Sequence, residues 1–94
     1  MFQNARYLTC GVNADIPLEI QLFLWGCIDQ LPPERDYLQV FDLTPMGDMQ
    51  SIVHSSEQPE HRMVYAMPCD HPITAKVYAI DSGDYSTMLL ASEY

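Results

Sequence analysis

Apolar and polar positions change rhythm along this chain. From Asp15 to Leu31 (DIPLEIQLFLWGCIDQL) the apolar residues recur at helical spacing, while on either side they alternate. At about 100° per residue, Ile16, Ile20, Phe23, Leu24, Cys27, Ile28 and Leu31 share one broad face. Asp15, Glu19, Gly26 and Gln30 fall opposite. Leu18, Leu22 and Trp25 belong to neither group and line a second apolar arc, offset by roughly half a turn or more. Asp15 is placed to cap the first turn and Pro17 to occupy it, where a missing N–H costs nothing. Pro32 and Pro33 end the segment.

Around this helix the pattern predicts strands. Arg6 to Val12 alternates, with Leu8, Cys10 and Val12 on one side. Asp36 to Thr44 places Tyr37, Gln39, Phe41 and Leu43 on one face. The run Pro45-Met46-Gly47-Asp48 reads as a type I turn closed by a left-handed glycine, leading into a returning arm from Met49 to His54. Ser55 to Glu60 is polar and reads as a mobile loop. His61 to Met67 forms a further strand, and the prolines of Pro68 to Pro72 exclude a central strand there. Ile73 to Ile80 follows, with the small apolar face Ile73, Ala75, Val77, Ala79. The turn Asp81-Ser82-Gly83-Asp84 joins it to a last strand, Tyr85 to Ala91.

One strand, one helix and then about five strands define an α+β fold rather than βαβ units. The expectation is one N-terminal amphipathic helix packed on a mainly antiparallel sheet of about five to six strands. Partial closure into a barrel stays open as an alternative. The 94 residues suffice for a single domain, 1–94, that buries somewhat over ~60% of its unfolded surface.

Charge narrows the functional classes. Thirteen carboxylates against Arg6, Arg35, Arg62 and Lys76 give a net charge of −9. A phosphate backbone or an anionic membrane needs clustered cations, so the expectation is no nucleic acid and no membrane as partner. Cys10, Cys27 and Cys69 are odd in number, contain no CxxC and follow no signal peptide. They read as reduced thiols of a soluble, cytoplasmic protein.

The stretches IPLEIQLFLWGCID, DYLQVFDL and IDSGDYSTMLLASEY together resemble the domain of unknown function 960 family, small proteins found largely in Gram-positive bacteria. The resemblance runs from Arg6 to Tyr94. It implies a bacterial cytoplasmic α+β domain and transfers no activity and no functional residue.

Candidate chemistry is sparse. His54, His61, Cys69 and His71 are all zinc-ligand types, but their spacing matches no paired-ligand signature, so neither a metal nor another cofactor is expected. Cys69-Asp70-His71 places a thiol beside a base, yet catalytic partners usually lie far apart in sequence. GxSxG, GxGxxG, Walker and HExxH motifs are absent. No catalytic residue is assigned. The leading expectation is a non-enzymatic protein–protein interaction or regulatory module, homodimeric or an adaptor for a basic or amphipathic protein. Leu18, Leu22 and Trp25 would form its docking surface, since a Trp ringed by Leu has the composition of an interface anchor. The alternatives are a metal-binding or small-molecule enzyme using the sheet-edge histidines, and an acidic decoy that mimics nucleic acid.

Overall fold

A computed structural model describes residues 2–94. The elements are β1 (Ala5–Leu8), α1 (Cys10–Asp15), α2 (Leu18–Asp29), β2 (Leu38–Met46), β3 (Met49–Glu57), β4 (Glu60–Pro68), β5 (Ala75–Asp81) and β6 (Tyr85–Leu90). A short 3-10 turn, Ala91–Glu93, follows. The six strands make one sheet in the order β1-β6-β5-β2-β3-β4, antiparallel throughout except that β1 runs parallel to β6. The sheet is open, with β1 and β4 as its edges, so it does not close into a barrel.

Alternation decides which residues are inside. Gln39, Phe41 and Leu43 of β2, Ile52 and His54 of β3, Val77 and Ala79 of β5, and Met88 of β6 are buried on one face. They join Val12, Ile16, Ile20, Leu24, Cys27 and Ile28 of the helical segment in a single core. Of the expected sets, Gln39, Phe41, Leu43, Val77 and Ala79 are buried there and Ile73 and Ala75 pack against the core half-buried, whereas Tyr37 precedes β2 and is exposed. Phe2 also enters this core, almost fully buried, which no periodicity at the chain's start announced.

The helical region differs from expectation in an instructive way. The strand predicted from Arg6 to Val12 stops at Leu8, because Thr9 caps a helix: its Oγ1 accepts the Val12 amide at 3.3 Å. Asp15 is therefore the last residue of α1, not the cap of a helix running from Asp15 to Leu31. Pro17 causes the break. It has no amide hydrogen to continue α1, and it holds Ile16 extended (φ −107°, ψ 115°). The Pro17 carbonyl then accepts the Ile20 and Gln21 amides and starts α2. The buried Gln21 side chain donates to the Ile16 carbonyl at 2.7 Å, satisfying a group the break leaves free. At its other end α2 stops at Asp29, short of the predicted Leu31. Arg35 folds back there and donates to the carbonyls of Ile28 (2.9 Å), Leu31 (2.9 Å) and Pro32 (3.1 Å).

Two connections also differ from expectation. The β2–β3 turn is only Gly47-Asp48, with glycine at its first central position (φ 63°) rather than closing it. Ser55 to Glu57 belong to β3, not to a loop. The Asp36 carboxylate accepts the Glu57 and Gln58 amides (3.2 and 2.9 Å) and the Leu38 amide (3.1 Å), which holds that end of the hairpin.

Glu93 ties the chain's end to its beginning. Its carboxylate accepts the Thr9 hydroxyl at 2.6 Å, the Gly11 amide at 3.2 Å and the Leu90 amide at 2.8 Å, and these bonds lower its pKa. A Cβ on Gly11 would lie 2.7 Å from this carboxylate and would push the Glu93 side chain off its partners. Gly11→Ala and Glu93→Gln are each expected to lower the melting temperature. Because both break the same clamp, the double variant should lose less than the sum of the two, which thermal denaturation of all four proteins measures.

Candidate functional site

Two regions gather the residues that the sequence singled out. The first is the outer side of α2. Leu18 and Leu22 stand one turn apart and are 64% and 62% exposed. Gly26 continues their line, with open space where a side chain would project. Trp25 departs from them: it is only 9% exposed and belongs to the core. The Arg6 guanidinium lies 4.7 Å from the Trp25 ring centroid and pairs with Asp29, so an arginine from β1 roofs the indole. The predicted trio therefore splits into two exposed leucines and one covered tryptophan. Phe23, on the other flank, meets Tyr65 of β4 edge to face at 5.3 Å.

The second region lies at the other end of the sheet from the β4–β5 connection. His54 and His61, diagonal neighbours on the β3–β4 hairpin, place their ring centroids 4.8 Å apart. His54 is fully buried and stacks on Phe41 at 4.5 Å. Its Nε2 donates to Gln39 Oε1 at 2.6 Å. The orientation of that amide is fixed, because Gln39 Nε2 donates to the Asp36 carbonyl at 2.8 Å. Burial, reinforced by the neighbouring His61, pushes the His54 pKa down to about 4. Cys69 and His71 are not part of this pair. Cys69 follows the far end of β4, eight residues beyond His61 along an extended strand, or about 26 Å. Among the described residues no three His, Cys, Asp or Glu side chains converge on a metal position.

The thiols are free, and they differ. Cys27 is buried, and that burial raises its pKa to about 11 against an opposing hydrogen bond from Tyr65, so it stays protonated at neutral pH. Cys10 is exposed on α1. Asp81, expected to stabilise its own turn, accepts the Gly83 amide at 2.7 Å and also the Phe2 amide and Asn4 side chain. These bonds outweigh its desolvation and hold the carboxyl below its usual range.

Among the described residues no helix covers the other face of the sheet; Tyr94 reaches onto it and meets the Tyr78 ring edge to face at 5.5 Å. Val40, Val53, Tyr78 and Ile80 alternate out to that face half-buried, with Val64 and Tyr85 exposed. A single helical layer on one face of an open, six-stranded, mainly antiparallel sheet is the class of protein this is. The particular family follows from the sequence. A model of the family described as staphylococcal protein of unknown function (DUF960) matches residues 5–93, and the chain belongs to that family. It is also similar to a crystal structure of a protein of unknown function from Enterococcus faecalis. The TM-score is 0.84 at 24% identity, covering 97% of this chain and 91% of that one, a likeness of fold. No match is found among curated proteins.

Two measurements check these sites. Trp25 should emit as a shielded indole with weak iodide quenching, and Arg6→Ala should shift its emission to the red and raise quenching while the protein stays folded. In metal-free protein, His54 should make stability depend on pH. Between its unfolded pKa near 6.5 and its folded value of about 4 the unfolded chain binds the extra proton. Stability is therefore full above pH 6.5 and declines as pH falls toward 4, by about 3 kcal/mol at 1.36 kcal/mol per pKa unit. Denaturant titrations between pH 4.5 and 7.5, with imidazole NMR for the His54 pKa, read this directly.

Proposed function

We propose that this chain is a non-enzymatic interaction module whose outer α2 surface binds a basic, amphipathic helix of another protein. The observation that carries the reading is the pair Leu18 and Leu22, both more than three-fifths exposed on a helix whose remaining large apolar residues are buried or half-buried. Large apolar side chains held out together on a rigid helix mark a contact surface. Gly26 extends the strip and allows close approach.

Charge selects the partner. Glu19 lies next to Leu18 on α2 and is exposed, as is Asp15 at the end of α1, and the whole chain carries −9. Such a surface steers cationic ligands toward it and opposes a second copy of itself. The docking strip is narrow, so a helix presenting leucines at i and i+4 with lysines or arginines alongside matches it. Trp25 contributes as the floor beside the strip, held under Arg6 rather than offered as the anchor.

Placement in the cytoplasm accords with three free cysteines. No helix among the described residues is long and apolar enough to cross a membrane. Four of the thirteen carboxylates, Asp29, Asp36, Asp81 and Glu93, are occupied in internal bonds, which counts against the nucleic-acid-mimicking alternative.

A synthetic helical peptide with leucines and lysines on one face is the probe. Calorimetry should show saturable binding that weakens as salt rises, and Leu22→Asp should weaken it at least about tenfold, the equivalent of 1.4 kcal/mol. Absence of binding, or binding untouched by Leu22→Asp, would overturn the assignment. So would a dimer in light scattering that Leu22→Asp dissociates, since a second copy would then occupy the strip.

A further inference from the structure

The histidine pair on the β3–β4 hairpin has an electronic consequence that its packing does not account for. The Gln39 amide cannot be turned around, because its nitrogen donates to the Asp36 carbonyl. Its oxygen therefore faces His54 Nε2, and an amide oxygen only accepts. His54 Nε2 must carry the proton. In the neutral ring Nδ1 then holds a free lone pair, and that atom is buried without a hydrogen-bond partner. His61 Nε2, on the adjacent ring, is likewise buried and without a partner. Buried imidazole nitrogens almost always bind something, and two neighbouring ones left bare are costly.

We propose that His54 Nδ1 and His61 Nε2 bind a borderline divalent transition-metal ion of the Zn²⁺ class, with water completing its coordination. Three features fit such an ion. An imidazole that ligates a metal typically donates its other N–H to a carbonyl-type oxygen, which fixes the tautomer, and Gln39 does this for His54. Neutral imidazole nitrogen suits zinc, cobalt and nickel better than hard cations, which prefer oxygen. There is also room for solvent beside His61. A cavity of about 130 Å³ lies against it, lined by Ser56, Glu34 and Glu60 and by Arg35, whose guanidinium is held on the carbonyls at the end of α2. At about 30 Å³ per water, that space holds the solvent ligands a two-histidine site needs.

This site is independent of the α2 docking strip, and it uses only two of the four ligand-type residues that the sequence offered. Cys69 and His71 are bystanders. The ion would clip β4, an edge strand, to β3 at the hairpin's turn end.

The test is a titration of ¹⁵N-labelled protein with Zn²⁺, following the imidazole nitrogens by long-range ¹H–¹⁵N NMR. One equivalent should shift His54 Nδ1 and His61 Nε2 and leave His71 unmoved. His61→Gln, an edge-strand change checked for folding in the same spectra, should weaken zinc binding at least about tenfold, since loss of even an outer partner commonly does so. His71→Gln should retain full affinity. Unmoved His54 and His61 resonances in excess zinc, shifts confined to His71, or an affinity indifferent to His61→Gln would each overturn the proposal.

Discussion

One-sided burial governs this molecule. Ile20, Leu24 and Ile28 of α2 meet Phe41, Leu43, Ile52 and Val77 of the sheet in a core one residue layer deep on each side. Every large apolar side chain there contributes on the order of 1.5 to 3 kcal/mol by leaving water. A sheet of six strands is wider than one helix, and this fixes what else must happen. α1 turns away at Pro17 and packs by β6, while α2 covers the middle strands. A continuous helix from Asp15 to Leu31 would leave the β6 end of the sheet to Val12 and Phe2 alone.

Breaking the helix and bringing both chain ends to one place exposes backbone groups that must be satisfied. The fold does this with side chains that reach across long sequence separations. Gln21 serves the Ile16 carbonyl, Arg35 serves the end of α2, and Glu93 serves Thr9, Gly11 and Leu90. Gln50 does the same for the approach to β5, donating to Ile73 O at 3.0 Å and accepting from Ile73 N at 2.8 Å. Several charged and amide side chains are thus structural, although every carboxylate except Asp81 keeps part of its surface in solvent.

What remains outside this scaffold is limited and specific. The exposed leucines of α2 stand out from a helix whose other large apolar residues are covered, and the bare imidazoles interrupt an otherwise satisfied interior. Both depart from the pattern of the fold without any evident structural gain, and such departures are where function is expected to reside.

Periodicity by itself determined the class of the protein, the inward sets of β2 and β5, the turn at Gly83 and the apolar excess of α2, because each depends on neighbours within a turn or a pleat. Pro17 and Thr9 were equally local signals, and with them the break in the helix was legible in principle. Membership in a family of unknown function was also written in the sequence. Tertiary structure alone decided that Arg6 covers Trp25 while Leu18 and Leu22 stay exposed, since the arginine arrives from a strand at the sheet's edge. It alone brought His54 beside His61 and carried Cys69 and His71 away. The register of a hairpin sets those distances, and register is a property of paired strands, not of either strand read separately.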